Sequence, residues 1–445
     1  MCRGWNPSFI PFSLLLSGTP FAQGPRMEHR PPALLANADY YGTLAAARCL
    51  GRNGIPLTVA HPGRLGAASW SRYIQKRLTC PPTTKSAEFL AWLLDFGKAS
   101  PGHVLYPTSD DAAFIYSAHQ ERLSEFFHLY QPPVSAVYGL LNKRKLHEVA
   151  LAVGLKVPRT WFPGSEEDFD TIAREATTAL MIKPVTQVLF TNHRKGQVTT
   201  ADQLRSEYKT FAQESYAPEL RALDPDVTRP MVQAFHPEAN QSIYSLSGFI
   251  SREGEQALRG AVKVLQLPRK LGVGICFENA EVNPSLADRI TAMCKRLGYF
   301  GVFEAEFIVH GDDHLLIDFN PRFFGQLGFD VARGLPMGLL AYEAALGRAD
   351  KVSQMLARAR AWAPQTPPVF VHRAALDLVL RSQQASHAMP REEADEWRAW
   401  AERHPAVDAV LDADDWKPAA IDWVNRLSSY ARHPRSFVRS IILNR

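Results

Sequence analysis

The sequence predicts an α/β domain followed by an α+β domain and a helical tail. Three observations predict it. Short apolar runs alternate with helix-length amphipathic runs from about Pro32 to Gln131, as a doubly wound parallel sheet requires. After Gln131 the runs pair around turns, the pattern of hairpins mixed with helices. Beyond Ala349 the chain is rich in Arg, Ala and Trp and reads as amphipathic helices. The expected division is 1–30 as an N-terminal extension, 31–132 as the α/β domain, 133–349 as the α+β domain and 350–445 as the helical extension.

The elements follow in order. "PALLANA" reads as a buried strand. "YYGTLAAARCLGRNG" has helical spacing and stops at Gly54, a residue suited to a helix C-terminus. "IPLTVAHP" is a strand, "TKSAEFLAWLLDFGKAS" a helix, "GHVLYPTSD" a strand and "DAAFIYSAHQERLSEFF" a helix. Ser109 is placed to cap that last helix. The first strand-to-helix turn lacks G-x-G-x-x-G, so no dinucleotide site is expected. "VSAVYGLLNKRKLHEVALAVGLKVPRTW" gives two short helices and a strand. "TALMIKPVTQ" and "RPMVQAFHP" are strands, and "QSIYSLSGFISREG" with "QALRGAVKVLQLP" an antiparallel pair. "PSLADRITAMCKRLG" is an amphipathic helix, "YFGVFEAEFIVHGDDHLLIDFNPR" a hairpin and "PMGLLAYEAALG" a helix. "REEADEWRAWAERHP" and "AAIDWVNRLSSYARHP" are helices of the tail.

Composition narrows the function. The 445 residues are 46% apolar and 21% charged, with a net charge of +5. The basic residues are scattered, which argues against nucleic acid and is compatible with an anionic small ligand. Cys2, Cys49, Cys80, Cys276 and Cys294 show no C-x-x-C spacing and no zinc pattern, so the chain reads as reduced and cytoplasmic. "FIPFSLLLSG" reads either as a short signal-peptide h-region, with "FAQG" a poor cleavage site, or as part of an upstream extension, and it is too short to span a bilayer. Met27 is the more natural start, residues 1–26 are expected to be largely disordered, and no membrane segment is expected elsewhere.

The chemistry lies in "HLLIDFNPRFFGQ". Asp318, Asn320 and Arg322 alternate and so share one strand face. With a three-residue turn, Gly311 to Asp313, Glu306 falls opposite Asp318 and Glu304 opposite Asn320. A two-residue turn would shift the register and break that opposition. Opposed side chains have Cβ atoms about 5 Å apart. Two carboxylates so placed repel unless a cation or a proton intervenes, and the expectation is that a divalent ion makes the cluster tolerable. Mg²⁺ (or Mn²⁺) suits hard oxygens and bridges readily to phosphates. Arg322 suits a phosphate oxygen or a developing oxyanion. The bland alternative is an exposed face on which acids and an arginine merely neutralise one another.

The hairpin resembles the metal-binding hairpin of the ATP-grasp superfamily, of the carboxylate–amine ligase type that includes biotin-carboxylase-like ATP-binding domains. The family pattern E-x-N-x-R is written Asp318-Phe319-Asn320-Pro321-Arg322 here, with Glu306 upstream. The resemblance runs from about Pro32 to Gly347. It implies a pre-ATP-grasp α/β domain, then a two-lobed ATP-grasp domain. It also implies ATP and Mg²⁺ as cofactors, with Glu306, Asp318 and Asn320 as metal ligands. Lys143, or Lys145 in its place, and Lys183 would reach the phosphates, and Gln233, Ala234, Phe235 and His236 would surround the adenine. Arg322, Arg269 and Lys270 would act on the reacting groups. The chain departs from the family in three places: Asp318 stands where Glu is usual, Ala234 where many members have Glu, and the loop after Lys183 carries only Gly196. His193, Arg194 or Lys195 would then serve loop closure.

The implied reaction joins a carboxylate to an amine through an acyl phosphate, with small-molecule substrates, an amino acid among them, and a homodimer left open. The alternatives are a carboxylase or carbamoyl-phosphate type of enzyme, a carboxylate–thiol ligase, and an inactive nucleotide-binding regulatory subunit.

Overall fold

The computed structural model describes residues 30–438 except 191–195, 214, 241–242, 268–272, 364–367 and 404. The expectations for the N-terminal 26 residues fall outside this range.

The first part of the chain forms a parallel sheet of β1 (Ala33–Ala36), β2 (Leu57–His61), β3 (Ile74–Thr79), β4 (His103–Leu105) and β5 (Phe127–Leu129), in the order β3-β2-β1-β4-β5. The fully buried β1 sits at its centre, as a strand with no polar face must. β3 and β5 carry no sequence signal. β3 is an edge strand with mostly exposed side chains, and β5 is three residues long. The helix Tyr41–Arg52 leaves β1 and ends at Asn53, with Gly54 at φ +70°. The run read as one helix after β4 is two, Asp110–Ala118 and Gln120–Ser124. Ser117 Oγ bonds back to the carbonyls of Ala113 and Phe114, a competition that bends helices.

The next strands are β6 (Thr160–Trp161), β7 (Leu180–Lys183), β8 (Gln197–Thr199) and β9 (Met231–Ala234). They make an antiparallel sheet in the order β6-β9-β7-β8. A larger sheet holds β10 (Ile243–Ile250), β11 (Gln256–Leu267), β12 (Val273–Ala280), β13 (Gly301–His310), β14 (Asp313–Asn320), β15 (Val369–Val371) and β16 (Ala406–Asp408). Its order is β14-β13-β10-β11-β12-β15-β16. The tail is helical, with Ala349–Arg360, Arg373–Ala385, Arg391–Arg403 and Lys417–Arg432. It also lends the large sheet its last two strands.

The apolar face of the hairpin fixes the site. Phe303, Ala305, Phe307, Leu316 and Phe319 pack with Leu246 and with Ile290 and Met293 of the helix Pro284–Leu297. Burying that face leaves Glu304, Glu306, Asp318 and Asn320 on the other side. The hairpin docks on the first sheet through the Phe323 N–H, which donates to Pro107 O at 3.1 Å. A Cβ at Gly42 would come within 2.6 Å of Phe324 O, so only glycine allows the helix Tyr41–Arg52 to approach this closely.

Candidate functional site

The expected strand pairing holds, but the expected turn does not. His310 pairs with Asp313 across the two-residue turn Gly311–Asp312, and Gly311 has φ +58°, as the first position of a tight hairpin turn demands. That turn alone would have moved every partner by one. A bulge restores the register: Phe307 pairs with Leu316, then Glu306 with Asp318 and Glu304 with Asn320. Ile317 is the extra residue. It also explains why Leu316 and Phe319, three apart, share the buried face.

The expectation is that a divalent ion alone makes the opposed carboxylates tolerable, whereas each already has an ammonium partner. Lysines reach them directly. Lys143 Nζ donates to Asp318 Oδ1 at 2.8 Å. Lys263 Nζ, on β11, donates to Glu306 Oε1 at 2.7 Å. Burial raises the Asp318 pKa, but the charge and hydrogen bond of Lys143, with Lys183 and Arg322, outweigh it and hold the carboxyl below its usual range. Burial likewise lowers the Lys263 ammonium, and Glu306 chiefly overturns that, leaving its pKa raised. Lys183 has less help. Burial first, then the Lys143 charge, bring its amine down to about 8, and its Nζ donates to Gln233 Oε1 at 2.9 Å.

Glu304 is 3% exposed, and among the described residues no lysine bonds to it, Lys263 acting on it only through its charge. Ser245 Oγ donates to its Oε1 at 2.5 Å, Gln326 Nε2 to the same oxygen, and Asn320 Nδ2 to its Oε2 at 3.1 Å. Burial and the charge of Glu306 push its carboxyl up to about 7. Arg322 donates to Asp110 Oδ1 at 2.7 Å and to Asn320 Oδ1 at 2.8 Å. Asp110 opens the helix that Ser109 caps by accepting the Ala112 N–H. The helix Asp110–Ala118 thus supplies the counter-charge that aims Arg322.

Helix capping sets Lys143. Asn142 Oδ1 accepts the N–H groups of Arg144 and Lys145, which places Lys143 at the first helical position facing β14. Lys145 stands instead over the Tyr138 ring, 6.0 Å from its centroid, so Lys143 is the lysine at the hairpin. At the end of β9, the Ala234 N–H donates to Arg159 O and the following Phe235 N–H to Ala179 O. Those two donors are therefore engaged, and any contact to a base from them must come from carbonyl oxygens. The Gln233 side chain lies between Lys183 and Thr160 Oγ1, where it orients the lysine. His236 lies apart, beside Glu238 and His310. Arg269 and Lys270, like His193, Arg194 and Lys195, lie outside the described residues.

Sequence reading missed Lys263, Ser245 and Gln326; Asp110 was read only within "SDD", Ser109–Asp111, as a helix cap where the strand ends face the cleft. Lys263 had a signal: a lone lysine in the apolar strand "GAVKVLQL", which normally needs a carboxylate to be buried. The others have none, because only the tertiary packing brings them in.

No family model and no curated protein matches the sequence. Solved structures do. The biotin carboxylase domain of the Hydrogenobacter thermophilus 2-oxoglutarate carboxylase, solved with MgADP and bicarbonate, superposes with TM-score 0.56 at 12% identity, over 72% of this chain and 70% of that one. Campylobacter jejuni biotin carboxylase gives 0.54 at 14%, over 76% and 73%. N5-carboxyaminoimidazole synthetase from Staphylococcus aureus gives 0.53 at 10%, over 71% and 78%. The fold is the ATP-grasp fold. In ATP-grasp terms, the small sheet β6–β9 and the large sheet are the two lobes, and Lys183 on one lobe meets the charges of Asp318 and Glu306 on the other.

Proposed function

We propose that the chain is an ATP-dependent ligase joining a small carboxylate to an amine, in a cytoplasmic setting, with its site in the 133–349 segment. The supporting observation is the pair of opposed carboxylates ringed by Lys143, Lys183, Lys263 and Arg322. Each lysine bond takes one carboxylate oxygen, so Glu306 Oε2 and Asp318 Oδ2 remain as hard oxygens suited to Mg²⁺ or Mn²⁺. Asn320 Oδ1 accepts Arg322 and keeps one lone pair for the same ion. The donor set therefore fits a divalent cation, which when bound would neutralise charge on the ATP phosphates. ADP and magnesium in the Hydrogenobacter structure agree with that cofactor choice.

Lys143 and Lys183 would hold phosphate oxygens, and Arg322 would face the oxyanion of the acyl centre. In the reaction, an oxygen of the substrate carboxylate forms a bond to the γ-phosphorus and the bond to the β–γ bridging oxygen breaks, releasing ADP. The amine nitrogen then bonds to the acyl carbon, phosphate leaves, and the nitrogen loses its proton to solvent. The protein aligns and neutralises; no side chain forms a covalent bond.

The test is phosphate release from ATP with Mg²⁺ over a pool of carboxylates and amines, with hydroxylamine trapping of the acyl phosphate. Asp318→Ala or Asn320→Ala is expected to remove turnover by about 10³-fold or more while the far-UV spectrum is unchanged. Normal rates in either variant overturn the site. Release that depends on bicarbonate and not on an amine places the chain with the carboxylases, and nucleotide binding without any turnover makes it a regulatory subunit.

A further inference from the structure

We propose that His236, Glu238 and His310 form a second metal site, separate from the carboxylates of the cleft and suited to Zn²⁺ or a neighbouring transition ion. One ligand atom from each lies within 4.8 Å of the other two. Glu238 stands between the imidazoles: its Oε1 is 3.1 Å from His310 Nδ1 and its Oε2 3.8 Å from His236 Nδ1. The two rings meet edge to face with centroids 5.2 Å apart. Glu238 Oε2 is shut off from solvent, yet no hydrogen-bond donor reaches it. A buried carboxylate oxygen without a donor is costly, and a cation between the rings would satisfy it.

The residues are held for this role. His236 and Glu238 lie on the connection from β9 to β10, in a turn closed by the Ala239 N–H on His236 O. Ala239 packs on Ile243, Ile308 and Leu315, which seats the turn beside the end of β13, where His310 is the last residue. Two imidazole nitrogens and one carboxylate oxygen favour Zn²⁺ over Mg²⁺ or Ca²⁺, which take oxygen. Three protein ligands leave a position for water.

The site spans the two lobes. β9 belongs to the four-stranded sheet and β13 to the seven-stranded one, so an ion here ties the connection after β9 to the tip of the hairpin that carries the cleft carboxylates. The alternative is a bare histidine–glutamate ion pair that binds nothing.

The experiment uses the full chain, stripped with chelator and titrated with Zn²⁺ alone by calorimetry and with Co²⁺ by its visible absorption. His310→Gln and Glu238→Gln are the comparison variants. Their side chains are 53% and 39% exposed, so both are expected to fold. The expected result is one Zn²⁺ per wild-type chain, bound roughly ten-fold or more tighter than by either variant. The wild-type melting temperature should rise with Zn²⁺ and that of the variants should not. No saturable binding, or equal binding by wild type and His310→Gln, overturns the site. Both readouts are independent of ligase activity.

Discussion

Two charge clusters, one buried and one partly open, differ in how fully the chain satisfies them. At the junction of the first sheet with the tail, Arg48 Nε donates to Asp415 Oδ2 at 2.9 Å, and its NH2 to the carbonyls of Val410 and Asp415. Asp415 also accepts Ser71 Oγ and the Arg72 N–H, both at 2.7 Å. Both oxygens of the acid are satisfied from within the chain. In the cleft, Lys183 and Lys263 each make one side-chain bond among the described residues, although an ammonium has three donors, and Glu306 and Asp318 each keep an oxygen outside those lysine bonds. A charge cluster built to hold the fold saturates itself; one built for a ligand leaves capacity that the ligand completes.

Breaking the first cluster gives the largest effect on stability. Arg48 and Asp415 side chains are 8% and 1% exposed. Arg48→Leu strands a buried carboxylate and is expected to cost about 3–5 kcal/mol by chemical denaturation. The folded fraction should keep the wild-type KM for ATP. A raised KM in that fraction would mean that the junction also shapes the cleft, and the contrast between the clusters would fail.

The next effect sharpens the other side. With its pKa at about 8, the Lys183 amine is charged at neutral pH and loses that charge as pH rises through 8. On the proposed role of Lys183, the Kd for ATP is expected to rise about ten-fold between pH 7 and pH 9 as that charge is lost. Lys183→Arg keeps its charge and should flatten that profile. The same slope in both proteins would remove Lys183 from the phosphate site.

These residues show how far the sequence could be read. The alternation Asp318, Asn320, Arg322 and the opposition of Glu306 to Asp318 were legible, because side-chain direction in a strand is a period-two property of the local chain. The route to them was not. The turn is one residue shorter than expected and the bulge at Ile317 one residue longer, and the two cancel. A bulge has no composition signal of its own, so it shows only when Leu316 and Phe319 are seen to share a core. The partner of Lys263 was invisible for a related reason. Lys263 stands on β11, separated from β13 by β10, and its ammonium reaches Glu306 across that intervening strand. Asp110 meets Arg322 across 212 positions of sequence. The parallel order of the first sheet was legible from alternation. Its edge strand β3 and the two strands lent by the tail were not, since short strands are fixed by the neighbours they pair with.

Glu304 gives the smallest effect and the finest test of the contrast, because it is the cleft acid to which, among the described residues, no lysine bonds. Its folded pKa of about 7 lies above the unfolded carboxyl value near 4.3, so the folded chain binds more protons than the unfolded one between those limits. Stability then falls as pH rises from about 4.3 to 7, and the loss is complete above 7. Glu304→Gln keeps the shape and removes the charge. Its melting temperature is expected to exceed that of the wild type by about 2 °C at pH 8, with no advantage at pH 4. An equal difference at both pH values would show that the substitution acts through packing with Ser245, Gln326 and Asn320 instead of through charge. The cleft would then be as fully compensated as the junction around Arg48.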